Sequence, residues 1–454
     1  MAGPLVGSTD FRYACSPERF ASPSKRSLRL RWTDRGAGPV GTGHEWCGYA
    51  RWMDASDRQA PTPDVVAEAR KRVCDRVDEL AEVLVATSHA IHAEPELNFE
   101  EHFAHGLLTG VLADQGLPVV RGAYGLETAF EAEAGTEGPR LAVLCEYDAL
   151  PGIGHACGHN VIATAGLGAG LAAAAVADEM GGRVRILGTP AEEGGGGKVI
   201  MADRGAFEDV EAAMMVHPAD ADLENITSLA IQQAQVVYEG RAAHAAAAPE
   251  QGLNALDAMV LGYVNVAALR QHIAPTERIH GIFNESGDRA NIVPRRTTAT
   301  WYVRSPNRAG VRALKERLTA CLESGAAAAG CTVELNWNPA SYDEVVDNRA
   351  LLDRYVANAA LFGREVLPTV THQVVGSTDM GNVSYLVPGI HPMIKVAPHG
   401  TAIHTEDFAR YAVLEEADRA VVDGAKSMAL TMVDCWADPA VLDAARAEFI
   451  AIET

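Results

Sequence analysis

The sequence predicts an α/β protein: an open sheet with helices on both faces, into which a second, ferredoxin-like α+β domain is inserted. Three observations lead to this prediction. Buried strand-like runs alternate with helical segments at first, the pattern becomes β-branched and alternating near residue 227, and 454 residues exceed what one core usually supports. We expect the sheet domain to cover residues 61–226 and 339–454, and the inserted domain to cover residues 227–338.

The sheet domain is predicted from its strand ends. A long amphipathic helix, "DVVAEARKRVCDRVDELAEVLVATSHAIHAEPE", comes first, with apolar residues at helical spacing. The buried strand in "RLAVLCEYDALP" ends in Glu146 and Asp148, and "GRVRILGTPAEEGGGG" runs into Glu192 and Glu193. "VEAAMMVHP" predicts a third strand that ends at His217. Since the carboxyl ends of parallel strands share one edge of a sheet, we expect a functional site there.

Between the first two of these strands, "ATAGLGAGLAAAAVADEM" predicts a helix of small residues packed closely against the sheet. The inserted domain is predicted by the order strand, helix, strand, strand, helix, strand, which is typical of a ferredoxin-like unit. Its segments are, in order, "SLAIQQAQVVYEG", "GLNALDAMVLGYVNVAALRQHI", "RIHGIFNES", "TTATWYVRS" and "NRAGVRALKERLTACLESGAAAAG", with the last strand following.

The first sixty residues differ from the remainder. They hold nine basic residues against six acidic ones, whereas the whole chain carries a net charge of −22. They show no clear periodicity and no continuous apolar stretch that would make a secretory signal. We expect residues 1–60 to be a disordered leader that precedes the fold, because folding signals appear only after "PTP" at residues 61–63. Within it, residues 1 to about 52 are expected to be a leader or an over-extended start, and Met53 to begin the functional protein.

Composition excludes several partners. A net charge of −22 argues against a nucleic-acid partner, which needs a concentrated basic surface. The most apolar run, residues 162–177, is closed by Asp178 and Glu179 and is too short for a bilayer, so we expect no membrane partner. The eight cysteines are scattered without a C-x-x-C pair, which favours a reducing compartment, the cytoplasm.

The stretch "GIGHACGHN" supports two chemistries. Gly152, Gly154 and Gly158 are spaced like a turn that binds a dinucleotide pyrophosphate, although Gly158 falls one place late for that fingerprint. Cys157 and His159 instead indicate a metal site or a reactive thiol. The other strand ends favour the metal, because each supplies further ligands.

Five side chains form the candidate ligand set: Cys157, His159, Glu193, His217 and His404, the last from "HGTAIHTEDF". Thiolate, imidazole and carboxylate together suit zinc, or manganese if oxygen ligands predominate. Five ligands exceed the three that one catalytic zinc usually takes, so we expect two divalent metal ions that share a bridging ligand.

Seven collinear motifs carry a resemblance to a known family over residues 65 to 435. They are "CEYDALPGIGHACGHNVIATAG", "TPAEEGGGG", "MVHP", "GRAAHAAAAPEQGLNALDA", "ANIVPRRTTATWYVR", "GSTDMGNVS" and "HGTAIHTEDFA". The chain resembles the aminoacylase and carboxypeptidase G family of co-catalytic metallopeptidases, in its amidohydrolase branch with p-aminobenzoyl-glutamate hydrolase and the β-alanyl-dipeptide hydrolases. The resemblance implies a dinuclear catalytic domain and a lid domain that also forms a homodimer. It also implies hydrolysis of an amide bond in a dipeptide or N-acyl amino acid with a free carboxylate.

The resemblance also implies roles for single residues. The five candidate ligands match the metal ligands of the branch, and Glu192 matches its general base. Asp148 matches the carboxylate behind the ligands. His244 matches a lid histidine that donates to the tetrahedral oxyanion, and Asn291 and Arg304 match the lid residues that bind the substrate carboxylate.

Departures from the family pattern leave the substrate open. Asn160 stands where many members have aspartate, and "STDM" at residues 377–380 replaces "SEDF". Both variations resemble the p-aminobenzoyl-glutamate and β-alanyl-dipeptide side of the branch. Two alternatives stay open: a metal-independent amidase with Cys157 as nucleophile, and a non-catalytic regulatory relative. Arg304 also has a structural alternative, an ion pair with a carboxylate of the lid.

Overall fold

The computed structural model describes residues 61–369 and 375–453. The predicted leader and the predicted start of the functional protein at Met53 lie outside these residues. The helices are α1 (Pro63–Ala93), α2 (His102–Asp114), α3 (His159–Ala174), α4 (Gly197–Asp203), α5 (Ala255–Leu269), α6 (Arg308–Ala329), α7 (Arg349–Ala360), α8 (Met380–Ser384), α9 (Glu406–Tyr411), α10 (Glu415–Ala437) and α11 (Pro439–Glu453). The strands are β1 (Val119–Arg121), β2 (Phe130–Ala134), β3 (Arg140–Cys145), β4 (Arg183–Gly188), β5 (Val210–Met214), β6 (His217–Ala219), β7 (Thr227–Ser228), β8 (Ala230–Glu239), β9 (Arg278–Glu285), β10 (Arg296–Ser305), β11 (Thr332–Trp337), β12 (Val375–Gly376), β13 (Gly389–Ile390) and β14 (Met393–Lys395).

The larger sheet is open and mixed, with strand order β1-β2-β4-β3-β5-β13. Strands β4, β3, β5 and β13 run parallel to one another, whereas β1 and β2 are antiparallel to their neighbours. Parallel strands are buried on both faces, which explains why β3 and β4 are continuous apolar runs in the sequence. The predicted open α/β sheet is confirmed.

Helices cover both faces of this sheet. Leu141, Val143 and Cys145 of β3 belong to one apolar core, which also includes residues of α1, α3 and α10. Ala142 and Leu144 of the same strand point the other way, into a core that they share with α4 and α8. The alternation follows from the period of two along a strand. The small-residue helix α3 thus packs directly on β3.

One strand prediction is wrong. The segment "VEAAMMVHP" forms two strands, and His217 begins the second of them instead of ending the first. Strand β5 pairs with β13, and β6 then pairs with β14, which follows β13 along the chain. Pro392 separates β13 from β14, and proline has no N–H to continue a ladder. The segments 210–219 and 389–395 therefore leave the larger sheet together and pair separately as β6 and β14. His217 lies just beyond the larger sheet.

A second, four-stranded antiparallel sheet is built from the contiguous segment 230–337, in strand order β11-β8-β10-β9. Numbered within this segment, that order is 4-1-3-2 and is typical of a ferredoxin-like unit, as predicted. Helices α5 and α6 share one apolar core with the sheet, in which Tyr238 and Trp301 are the largest side chains. None of the helices within the described ranges combines the length and the apolar character needed to cross a bilayer.

Candidate metal centre

The loop before α3 places Cys157 and His159. Gly158 lies between them with φ 78°, a left-handed conformation that favours glycine. A Cβ atom at residue 158 would lie 2.8 Å from the ring of Pro218, so the close approach to β6 also requires glycine. The turn brings the Cys157 thiol to His217, with 3.4 Å between Sγ and Nε2. The glycine that suggested a dinucleotide site therefore serves the thiol and imidazole groups.

Two groups of potential ligands share Cys157. The first consists of Cys157, His159 and His217, and the second of Cys157, Glu193 and His404. Within each group the ligand atoms all lie within 4.8 Å of one another. Each group offers three ligand atoms, and the common thiol could bridge two ions. The structure therefore brings together all five side chains of the predicted ligand set.

The histidines of the first group turn the same ring atom toward it. Nδ1 of His217 donates to the carbonyl of Pro218 at 2.8 Å, and Nδ1 of His159 donates to Asp148 at 3.0 Å. Nε2 is therefore the atom of each ring that faces the group, the usual arrangement of ligating histidines. Burial lowers the pKa of His217 to about 4, so that imidazole is neutral at physiological pH.

Asp148 connects the two groups. One of its oxygens accepts from His159 Nδ1, and the other accepts the backbone N–H of Glu193 at 2.9 Å. This carboxylate therefore orients one residue of each group. Asp148 therefore lies behind the ligands, at the position that the family resemblance implied.

His404 reaches the second group through a strained backbone. Its φ is 62°, which is uncommon for a non-glycine residue and typical of functional positions. Its N–H donates to the carbonyl of Ala156 at 2.8 Å, which holds it beside Cys157. Its Nε2 lies 3.4 Å from Oε1 of Glu193. Burial opposes ionisation of Glu193, but His404 and His159 together hold its pKa below the usual range.

The donor set fits divalent metal ions. Nε2 of His159 and Oε1 of Glu193 are buried, and neither has a hydrogen-bond partner within the described part of the chain. Buried polar atoms without partners are rare and call for an ion or a water molecule. Soft sulfur and imidazole nitrogen in the first group suit zinc, and the carboxylate of the second also suits manganese.

Glu192 and Glu193 are adjacent in sequence and have different neighbours. Oε2 of Glu192 lies 3.8 Å from His159 Nε2, and Glu192 forms a third group with His159 and Glu146. Burial raises the pKa of Glu192 well above its usual range, and the carboxylates of Glu146 and Glu193 add to this effect. A buried carboxylate with a raised pKa beside a metal centre is a candidate proton carrier.

The sequence did not reveal a buried charge network behind this carboxylate. Nζ of Lys198 lies 2.5 Å from Oε1 of Glu146 and 2.5 Å from Oδ1 of Asp379, and all three side chains have no exposed surface. Lys198 is the second residue of α4, and Asp379 directly precedes α8. No local pattern marks such a network, because Lys198 and Asp379 are 181 positions apart.

Two further residues hold the loop that carries Glu192, residues 189–196, which we call the Glu192 loop. The Tyr342 hydroxyl donates to the Glu192 carbonyl at 2.6 Å and accepts the N–H of Gly196 at 2.9 Å. Glu101 accepts the N–H of Ala191 at 2.9 Å. The sequence analysis missed both residues, since each lies at least ninety positions from its partner in the loop.

The three predicted lid residues, His244, Asn291 and Arg304, lie in the contiguous segment 230–337 that forms the four-stranded sheet. Nδ1 of His244, which is exposed, accepts the N–H groups of Ala246 and Ala247 at 3.2 Å each. Asn291 is exposed next to it, and its carbonyl accepts the N–H of Ala245. Arg304 donates to the Ser377 hydroxyl at 3.2 Å. Among the hydrogen bonds and ion pairs of the described residues, none joins these three side chains to the ligand groups.

Comparison with known proteins identifies the family. The sequence model of "Peptidase family M20/M25/M40" matches residues 142–430. The chain is 39% identical over 396 residues to the Xaa-Arg dipeptidase of Mus musculus, covering 84% of this chain and 92% of that protein. It is 28% identical to one of the p-aminobenzoyl-glutamate hydrolase subunits of Escherichia coli, covering 85% of this chain and 93% of that protein.

Solved structures share the fold. A dinuclear metal-binding peptidase of the M20 family from Bacillus subtilis superimposes with a TM-score of 0.61 at 20% identity, covering 78% of this chain and 99% of that chain. The aminobenzoyl-glutamate utilization protein of Klebsiella pneumoniae gives a TM-score of 0.60 at 20% identity, covering 77% of this chain and 97% of that chain. These similarities support the two-part architecture described above.

Proposed function

The chain belongs to peptidase family M20/M25/M40, and we propose from that membership that it hydrolyses an amide bond in a dipeptide or N-acyl amino acid with a free carboxylate. The observation that carries the proposal is the pair of ligand groups that share Cys157 beside the buried carboxylate of Glu192. Two divalent ions, zinc or manganese, would be held by the five ligands. When bound, they supply Lewis acidity that activates water and polarises the scissile carbonyl.

Glu192 is the general base in this proposal. It takes a proton from the attacking water and gives it to the leaving amine. Its raised pKa suits this double role, because a carboxylate with a low pKa would return a proton poorly. Asp148 keeps His159 oriented throughout, and Tyr342 holds the backbone of Glu192 in place.

His244 is proposed to stabilise the tetrahedral oxyanion. Because its Nδ1 accepts backbone N–H groups, its Nε2 carries the proton and can donate. Asn291 and Arg304 bind the substrate carboxylate. Arg304 takes part in none of the ion pairs among the described residues and donates to the Ser377 hydroxyl, which speaks against a structural ion pair as its role.

A homodimer would bring these lid residues to a catalytic centre. The outer side of α5 and the helix-facing side of the edge strand β9 expose large apolar side chains, which we call the α5–β9 face: Val260, Leu261, Tyr263, Val264 and Phe283. Exposed apolar rows on an unpaired edge strand are typical of protein interfaces. We propose that two copies pair through this face, and that His244 then serves the partner's site.

The substrates ranked first are dipeptides that end in arginine. The ranking follows the relatives: 39% identity to an Xaa-Arg dipeptidase exceeds 28% identity to a p-aminobenzoyl-glutamate hydrolase subunit. We place the protein in the cytoplasm, because the six cysteines in the described residues are all free thiols.

A metal-independent cysteine amidase is the weaker candidate. Burial raises the pKa of the Cys157 thiol well above its usual range, and Glu193 raises it further. A cysteine nucleophile needs the opposite shift.

The proposal is tested by metal content and hydrolysis together. Protein purified without chelator is analysed by mass spectrometry and then assayed with alanyl-arginine, β-alanyl-lysine, p-aminobenzoyl-glutamate and N-acetyl amino acids. We expect about two equivalents of zinc or manganese per chain and cleavage that a chelator abolishes. Full activity in metal-free protein would instead favour the cysteine amidase.

A further inference from the structure

A buried carboxylate outside the proposed chemistry holds the Glu192 loop. Glu101 has no exposed surface. Its Oε1 accepts the backbone N–H groups of Phe99 and Ala191 at 2.9 Å each, and its Oε2 accepts the Thr128 hydroxyl at 2.8 Å. We call the two bonds to Oε1 the Glu101 latch. A carboxylate is buried at a cost that hydrogen bonds offset in part. Burial raises the pKa of Glu101 to about 7, although its hydrogen bonds with the Thr128 hydroxyl and the Phe99 N–H lower that pKa.

The latch binds two strained residues. Among the described residues, five non-glycine residues have positive φ, and Ala191 (60°) and Phe99 (62°) are two of them. A left-handed conformation is unfavourable for a residue with a Cβ atom and persists only where the surroundings hold it. One oxygen atom receives the N–H groups of both residues. A single acceptor atom therefore holds both strained residues.

Ala191 controls the direction of the loop that follows it. Its N–H is bound by the latch, and its carbonyl accepts the N–H of Gly195 at 3.1 Å. Between these two fixed points the chain turns so that Glu192 faces His159 and Glu193 faces His404. A change of φ at residue 191 would move both carboxylates, and a displacement of about 1 Å is enough to slow an enzyme greatly.

Phe99 adds a second contact to the same loop. A Cβ atom at residue 195 would lie 2.7 Å from Cε2 of Phe99, so the ring edge packs directly on Gly195. The segment before Phe99 also reaches the loop of Asp148, because the N–H of Ala149 donates to the carbonyl of Glu96 at 2.8 Å. The segment 96–101 therefore contacts both carboxylate-bearing loops of the site, and the latch is its hydrogen bond to the Glu192 loop.

We propose that Glu101 is a positioning residue of this site, which through the latch holds Ala191 left-handed and so sets the directions of Glu192 and Glu193. The effect on turnover rests on the proposed function, whereas the effect on the loop does not. Sequence distance hides the relation, because Glu101 and Ala191 are 90 positions apart.

Two substitutions distinguish the loss of the latch hydrogen bonds from the loss of the buried charge. Glu101→Leu removes the acceptor, and Glu101→Gln keeps a carbonyl oxygen for both N–H groups while its amide can donate to Thr128. We expect Glu101→Leu to lower kcat at least 30-fold, because the general base Glu192 is then misplaced. KM should stay within about threefold of wild type, because substrate binding does not depend on this carboxylate. Glu101→Gln restores kcat to within about fivefold of wild type. Glu101→Met replaces Glu101→Leu if the leucine variant does not fold.

Glu96 supplies the matched control. Its carboxylate also accepts two backbone N–H groups in the same segment, those of Phe103 and Ala104, at 2.9 and 3.0 Å. It makes no side-chain hydrogen bond to the Glu192 loop in the described residues. Glu96→Leu should lower the melting temperature while kcat stays within about twofold of wild type. An equal loss of kcat in Glu96→Leu, or in folded Glu101→Gln, overturns the proposal.

Hydrogen exchange tests the latch without substrate or metal. Exchange of the metal-free protein is followed by mass spectrometry on the peptide that contains the Glu192 loop. We expect faster exchange in Glu101→Leu, and wild-type exchange in Glu101→Gln and Glu96→Leu. Unchanged exchange in Glu101→Leu overturns the latch. If the exchange pattern is as expected but the wild type hydrolyses none of the substrates, the proposed function is contradicted and the latch is not.

Adding Ala191→Gly to Glu101→Leu tests the strain itself. Glycine adopts positive φ without a Cβ penalty, so the double variant should regain at least threefold in kcat. No regain would show that strain at Ala191 is not what the latch controls.

Discussion

At the scale of the residue, Glu192 and Glu193 divide two tasks between neighbouring carboxylates. Only Glu193 belongs to a ligand group with Cys157 and His404, whereas Glu192 lies deeper, near Glu146 and Lys198. Burial and neighbouring charge thus separate two side chains of the same chemistry. Removing the charge of Glu192 should therefore leave metal binding by Glu193 intact.

Glu192→Gln should abolish turnover and leave the metal content unchanged. The amide cannot accept the proton of water, so we expect kcat to fall by about 10²–10⁴-fold. Metal content by mass spectrometry should equal that of wild type, because Glu192 belongs to neither group that shares Cys157. Glu193→Gln is the comparison and should lose metal together with activity. Substantial turnover in Glu192→Gln would remove Glu192 from its proposed role.

Lys198→Met should destabilise the protein strongly. The substitution leaves Glu146 and Asp379 buried without their shared cation, a change that typically costs about 3–5 kcal/mol. Lys71→Met is the control, because Lys71 pairs with Asp75 on the exposed side of α1, where solvent screens the ion pair. Urea denaturation of the metal-free proteins measures both. A loss below about 1 kcal/mol for Lys198→Met would contradict the importance of the buried network.

At the scale of the element, helix α3 depends on its small residues. A Cβ atom at Gly166 would lie 2.5 Å from the Leu144 carbonyl oxygen and 2.9 Å from Sγ of Cys145. Overpacking of this kind costs about 1–3 kcal/mol, and it would also shift the end of α3 that carries His159.

We therefore expect Gly166→Ala to lower both stability and metal affinity. The control is Gly106→Ala in α2, where no atom lies within 4 Å of the new Cβ. Alanine is the better helix former there and should stabilise by about 0.5–1 kcal/mol. Melting curves and a metal competition titration measure the two effects. Equal stability of both variants would mean that α3 can move away from β3 without penalty.

The elements that could be predicted from sequence are those with a local signal. Strands β3 and β4 were predicted from apolar runs, α1 from its amphipathic spacing, and the ferredoxin-like unit from its order of elements. The division of the third strand at His217 could not be predicted, because it depends on β13 and β14, about 175 positions away. The same holds for Glu101, Lys198 and Tyr342, whose partners are distant in sequence and unmarked by any motif.

At the scale of the whole molecule, assembly through the α5–β9 face can be tested by charge. Val264 is 56% exposed, so a charge there is harmless to a monomer and unfavourable in an apolar interface. We expect Val264→Lys to convert a dimer into a monomer in analytical ultracentrifugation. Leu361→Lys is the control, since Leu361 is 64% exposed but lies outside this face. A monomeric wild type, or a dimeric Val264→Lys variant, would contradict the proposed interface.

The interrupted larger sheet also has a consequence for the order of folding. The four-stranded unit is made from one contiguous segment, whereas β5 and β6 must wait for β13 and β14, which follow that whole segment. Pairings between distant strands form slowly, because the loop between them must close first. We therefore expect the four-stranded unit to fold early, even on the ribosome. The Cys157 and His404 ends of the site can meet only after the whole four-stranded segment between them has been synthesised.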